Sequence, residues 1–205
     1  MDHRPRRLAH PRRVASWRCR ADPRRRVGRR YRSDPAGPPS PRIQRNVTAS
    51  AGKVAACREL GADVVVDYGS QDFVAAVAEH TGGSGVDVVL DVIGGDYLDR
   101  NVRALANRGR IVQVGVMGGG STSFALGALM MKRGALIGTV LRARPLEEKI
   151  AATLTFERRV LGGFSDGSLH NVIDSRFSLD DIAAAHDHMH ANANTGKIII
   201  DVQRS

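Results

Sequence analysis

Thr81-Gly82-Gly83-Ser84-Gly85-Val86-Asp87-Val88-Val89-Leu90-Asp91-Val92-Ile93-Gly94-Gly95 is the stretch on which the fold turns. A glycine-rich turn leads into a short apolar run that ends on paired glycines. The run is too short for a helix and lacks the strict alternation of a half-solvated strand, so Val86 to Val92 reads as a strand buried on both faces. Strands of that kind belong to parallel sheets with helices on either side. What surrounds the run should therefore alternate between helix and strand.

It does so in both directions. Downstream, Asp96 to Ala106 has helical spacing, Arg110 to Val116 reads as a strand, and Gly118-Gly119-Gly120-Ser121 as a loop. Leu126 to Met131 reads as a helix and Ala135 to Leu141 as a strand. Pro145 is placed to open a helix through Leu161, with Glu147 and Glu148 favourable in its first turn. Ser178 is placed to cap a helix over Asp180 to Ala191, and Lys197 to Val202 closes the chain as a strand. Upstream, Ser70 is the expected cap of a helix to His80, Val64-Val65-Val66 a buried strand, and Lys53 to Leu60 a helical segment closed by Gly61. Val47-Thr48-Ala49 reads as the end of one more strand. This order predicts an α/β fold with a doubly wound parallel sheet.

The pattern stops near Asn46. Of the 31 Lys and Arg residues, 15 lie in residues 1–45, all of them Arg, against 3 of the 21 acids. Seven of the eight prolines lie there too. The formal charge of +10 is therefore a property of this arm, and the body is close to neutral. No helical or alternating apolar period was found in it, and its composition predicts disorder. Dense positive charge suits phosphate, but Trp17 and Tyr31 alone give no stacking series for a nucleic acid. Nucleic acid is accordingly not the favoured partner.

Cys19 and Cys57 form no CxxC pair and no disulfide framework, which points to a reducing compartment, the cytoplasm. The most apolar stretch, Phe124 to Leu141, is broken by Lys132 and Arg133, so no membrane span is expected. His186, His188 and His190 could suggest a metal. On a helix at most two of them converge, no further ligands complete a set, and no metal site is expected.

Glu59-Leu60-Gly61-Ala62-Asp63, Asp67-Tyr68, the Thr81–Gly95 stretch, Arg108-Gly109-Arg110-Ile111-Val112, Gly115-Val116-Met117-Gly118-Gly119 and Thr195-Gly196-Lys197-Ile198-Ile199-Ile200 follow one another in a specific order. That series resembles the zinc-independent NADPH:quinone oxidoreductases (the zeta-crystallin-like branch) of the medium-chain dehydrogenase/reductase superfamily. The likeness covers only the C-terminal half of such a protein. It implies a Rossmann-like domain, incomplete at its N-terminal end, that binds NADPH and reduces a quinone or conjugated enone by hydride transfer. Three segments are expected: a disordered arm at 1–45, a partial NADP-binding domain at 46–150, and C-terminal helices and a strand at 151–205 that return to the catalytic domain in intact relatives.

An acid at the end of the second Rossmann strand would accept from the ribose 2′-hydroxyl, whereas cationic and hydroxyl groups suit a 2′-phosphate. Thr48 to Lys53 holds no acid. The resemblance assigns Lys53 and Tyr68 to the 2′-phosphate and adenosine, and Ser50 adds a hydroxyl. Ile93, Gly94, Gly115, Val116, Met117 and Gly118 lie where loops would flank ribose and nicotinamide. No catalytic residue is identified, because in hydride transfer the cofactor carries the reactive group. The resemblance also implies a homodimer through the Ala135–Leu141 edge strand.

The phosphate-binding glycine turn that should precede Lys53 is missing. Under a permitted choice of codons, a neighbouring reading frame over Gly28 to Arg42 spells Gly-Gly-Gly-Ile-Gly-Leu-Thr-Gln-Leu-Ala-Arg-Arg-Leu-Arg, a glycine turn and a helix start. The arm is therefore expected to be a frameshifted stretch, a genuine extension being the alternative. Two other readings stand beside an impaired reductase: a non-catalytic Rossmann remnant used for dimerisation or weak nucleotide binding, and a basic-arm nucleic-acid binder.

Overall fold

A computed structural model describes residues 15–20 and 43–202. Its contacts divide the chain into two compact units, one over Arg12–Thr139 and one that contains Val140–Ser205.

The first unit is an α/β sheet domain. Its elements are β1 (Ala15–Arg20), β2 (Ile43–Ala49), α1 (Val54–Glu59), β3 (Val64–Asp67), α2 (Phe73–His80), β4 (Val86–Asp91), α3 (Tyr97–Ala104), β5 (Leu105–Gln113), α4 (Leu126–Met131) and β6 (Ala135–Gly138). They form a six-stranded sheet in the order β3-β2-β1-β4-β5-β6. β2 and β3 pair in parallel, as do β4 with β5 and β5 with β6. Helix α2 is stapled to α3 by a Phe73–Tyr97 ring stack at 5.7 Å, with the Arg100 guanidinium 4.3 Å above the Phe73 ring and bonded to Asp72. Val66, Phe73, Val77, Val86, Val89, Leu98, Val102, Leu105 and Ile111 make one core cluster. The doubly wound fold is thus as the apolar runs implied.

One strand departs from it. β1 lies between β2 and β4 and is antiparallel to both, with Ala15 opposite Thr48 and Ser16 opposite Leu90. It comes from the stretch expected to be structureless. The sequence explains it in retrospect: Ala15, Trp17 and Cys19 alternate with Ser16, Arg18 and Arg20, a period overlooked among the arginines. The gap between β2 and β4 also presents unpaired backbone groups on both sides, which any extended segment can satisfy. The rest of the arm, including the frameshifted turn expected over 28–42, lies outside the described residues.

Several boundaries shift. Asp72 caps α2 in place of Ser70, accepting from Val74 N, because Asp67 engages Ser70 through its hydroxyl. Strand β5 begins at Leu105 and ends at Gln113, not 110–116, its early residues pairing with Val86 ahead of a register shift. The expected strand over 135–141 is regular only to Gly138. α1 buries none of its residues, although Val54, Cys57 and Leu60 share a face. Lys132, half-buried, donates from Nζ to the carbonyls of Val102, Arg103 and Leu105, closing the C-terminal end of α3.

The second unit contains α5 (Leu146–Phe156), which continues through a π-helical turn at Glu157–Leu161 into α6 (Gly162–Ser165). Pro145 is its N-cap, not its first helical residue. β7 (Ile173–Ser178), α7 (Ile182–His190) and β8 (Lys197–Asp201) follow, and β7 and β8 form a separate parallel pair. β8 therefore does not join the main sheet. The α7 cap is Asp181, whose N–H donates to Ser178 Oγ. No helix among the described residues is long and apolar enough to cross a membrane.

Candidate functional site

In parallel strands the carboxyl ends share one edge of the sheet, and ligands of open α/β sheets bind there. The ends of β2, β3, β4 and β5 supply every cofactor-binding candidate read from the sequence. Ser50 and Lys53 follow β2 in a short turn in which Lys53 N donates to Ser50 O. Tyr68 follows β3, and its N–H donates to Ala49 O, which draws the two strand ends together. Ser50, Lys53 and Tyr68 are all half-buried. No acid lies between Thr48 and Glu59, so nothing anionic from this turn opposes a phosphate.

Ile93-Gly94 and Gly115 to Gly118 follow β4 and β5, and the structure zips these two loops together. Gly118 N donates to Ile93 O at 2.7 Å, and Val114 N donates to Asp91 O at 2.8 Å. The approach is close enough to require glycine. Gly95 has φ +56°, and a Cβ there would come within 2.6 Å of Gly118 O. A Cβ at Gly115 would lie 2.9 Å from Val92 O. Ile93 and Gly94 are buried, Gly115 is half-buried, and Val116 to Gly118 are exposed at the rim. The Ile93 carbonyl and the Gly118 N–H are thus spent on each other. Among the described residues, the Gly115 and Val116 N–H groups have no protein acceptor. Those two donors can serve a ligand.

Three polar residues beneath these loops went unassigned in the sequence. Asp91 is fully buried; its Oδ1 accepts from Ile93 N at 2.6 Å and Gly94 N at 3.0 Å, and its Oδ2 accepts from Asn101 Nδ2 at 2.8 Å. Gln113 Nε2 donates to Gly115 O at 2.6 Å and more weakly to Asp91 O. The available signal was an aspartate three residues before a glycine pair, which is the spacing of a side chain that turns its own backbone.

The two clusters, after β2/β3 and after β4/β5, are separated by one strand, β1, hence by two strand spacings or about 10 Å. Because β1 is reversed, its N-terminal end is what lies at the carboxyl edge of its neighbours. In a dinucleotide fold the strand at this position leads into a glycine turn and a helix whose N–H groups hold the pyrophosphate. Among the described residues no such turn and helix leave β1.

The three histidines do not converge. His188 Nε2 lies 2.8 Å from Asp174 Oδ2, and no group of three His, Cys, Asp or Glu suited to a metal occurs among the described residues.

Residues 60–200 match a family model described as zinc-binding dehydrogenase. The chain is 29% identical to the quinone oxidoreductase-like protein 2 of Bos taurus over 78% of its own length and 47% of that protein. It is 30% identical to the 2-haloacrylate reductase of a Burkholderia species over 72% of this chain and 44% of the reductase. Among solved structures, a Pseudomonas syringae quinone oxidoreductase superposes with a TM-score of 0.60 at 28% identity, covering 76% of this chain and 48% of that one. The chain thus spans less than half the length of these relatives.

Proposed function

This chain belongs to the zinc-binding dehydrogenase family, and we propose that it carries the two ends of an NADPH site from a reductase of quinones or conjugated enones. The observation that carries the reading is the pair of zipped loops after β4 and β5, which buries Ile93 and Gly94 and leaves the Gly115 and Val116 N–H groups without an acceptor among the described residues. That arrangement fits a carboxamide, whose oxygen accepts main-chain N–H. Lys53, Ser50 and Tyr68, with no acid in the turn between Thr48 and Glu59, fit a 2′-phosphate rather than a bare ribose hydroxyl. Bound NADPH would supply the hydride, and a proton from solvent would complete reduction of the carbonyl compound.

The residues present fit the cofactor's ends but not its middle. With β1 reversed, no helix N-terminus among the described residues leaves it to hold the pyrophosphate, so weak binding and impaired turnover are expected. Titrating the 205-residue chain with NADPH and NADH by nicotinamide fluorescence tests this. NADPH should bind with an advantage of about tenfold over NADH, an advantage lost in Lys53→Ala. Equal binding of the two, or none, defeats the reading.

A second proposal concerns assembly. β6 is an edge strand of a sheet, and Ala135 to Leu141 contains neither charge nor proline. Leu136 and Ile137 are 41% and 44% exposed. An edge so unguarded pairs readily with another, and we propose that a second copy of this chain occupies it. A cytoplasmic setting accords with the free Cys57 thiol.

A further inference from the structure

Asp91 is an acid with no visible catalytic task, entirely buried at the end of β4. Among the described residues no cation pairs with it; its partners are the Ile93 and Gly94 N–H groups and the Asn101 amide. Burying a carboxylate is costly unless its oxygens are well bonded, so a fold places one where its geometry is needed. Both donors on Oδ1 come from the turn that bears the loop, and Gly94 has φ +65° within it. The neighbouring loop is fixed by the other half of the network, through Gln113 Nε2 on Gly115 O.

Asn101 adds an independent observation. Its Nδ2 serves Asp91, while its Oδ1 is buried with no hydrogen-bond partner. A buried orphan acceptor is itself unfavourable, because it gives up its water without a replacement partner. The amide therefore stays oriented for Asp91 at a cost to itself. Holding the turn takes precedence over satisfying Asn101.

We infer that Asp91, supported by Asn101 and paralleled by Gln113, is a positioning residue for the nicotinamide-side loops, acting through the Ile93–Gly94 turn without touching ligand. The inference rests on the dinucleotide reading above. It predicts that damage to the network is felt at one end of the cofactor only. Lys53 and Tyr68 lie across β1, tied to each other through Ala49 and Ser50 and not through Asp91.

The chemistry also predicts which replacement is tolerated. In Asp91→Asn the remaining oxygen keeps both turn N–H groups, and the new amide donates to Asn101 Oδ1 once Asn101 flips. Asp91→Ala removes every acceptor and frees the turn. The test titrates the full chain with reduced nicotinamide mononucleotide and with adenosine 2′,5′-bisphosphate as separate probes. Asp91→Ala should weaken the mononucleotide by about tenfold or more and leave the bisphosphate within about twofold, and Asp91→Asn should restore the mononucleotide to within about threefold. Should Asp91→Ala fail to fold, Gln113→Leu, at a half-buried position, should show the same one-sided loss. Equal losses for both probes, or no loss for either, overturn the positioning role. A wild-type chain that binds neither probe overturns the dinucleotide reading beneath it, a separate and recognisable failure.

Discussion

The segment β4-α3-β5 and the unit from Val140 onward both carry leucine, isoleucine and valine, the first more densely, and they use them in opposite ways. In the first, Val86, Val89, Val102 and Ile111 are wholly buried and Leu105 nearly so. In the second, Ala185 alone among the described residues is buried. Leu146, Ile150 and Leu154 recur at helical spacing along α5 and remain 67%, 51% and 45% exposed, with Phe156, Leu161 and Phe164 also open. The difference teaches that an apolar stripe specifies a face to be covered, not the thing that covers it. β4 is covered by the helices and strands that share its core cluster, whereas the stripe on α5 stays largely open. Exposed apolar area of this kind marks an interaction surface or an aggregation risk.

The comparison is broken most directly by paired truncations. Phe73→Ala, in the buried cluster, should cost about 3–5 kcal/mol in urea unfolding, whereas Leu154→Ala should stay within about 0.5 kcal/mol. If Leu154→Ala proves as costly as Phe73→Ala, the α5 stripe is covered in solution and the contrast disappears.

At the rim of the compact unit, the proposed β6 pairing sharpens it. Ile137→Lys places a charge on the edge and should weaken self-association by about tenfold or more, with the urea midpoint nearly unchanged. Light scattering across a concentration series reads this, and a wild type that is monomeric at every concentration removes the proposed interface.

The smallest effect belongs to the second unit, where polar contacts stand in for a core. The Asp174 carboxyl accepts from Thr195 N and from His188, joining β7, α7 and the turn before β8. The Thr195 N–H first, and the His188 ring second, hold it below the ordinary aspartate range. A depressed acid contributes stability above its unfolded pKa and loses it as pH falls through the folded value. Loosening of β7-α7-β8 should therefore begin only beneath about pH 4, by well under about 1 kcal/mol, and Asp174→Asn should abolish that acid dependence. Hydrogen exchange at β8 amides against pH measures it; an unchanged profile in the variant discards the clasp.

How far the sequence could be read follows from the same contrast. Val64-Val65-Val66 and Val86 to Val92 were legible as buried strands because burial on both faces leaves a continuous apolar run. Gly94 and Gly115 were legible because close backbone approach excludes a Cβ. Asp91, Asn101 and Gln113 were not, since polar side chains that serve the backbone leave no period. Ser70 was mistaken for a cap because Asp72, two residues on, competes for the same role, and only the Ser70–Asp67 bond decides between them. β1 was missed because six alternating residues are lost among arginines, and its place depends on the vacancy between β2 and β4, a tertiary fact.

That reversed strand also bears on how the domain is assembled in time. β4, β5 and β6 are successive in the chain, as are β2 and β3, so each parallel group closes through single helical crossovers. β1 must instead bring Ser16 to Leu90, past β2, β3 and two helices. Contacts so distant in sequence carry the greatest entropy of closure and are the slowest to form. Because β1 also pairs with β2, the next strand in the chain, the contact expected to close last is the seam between β1 and β4, where the two halves of the sheet meet.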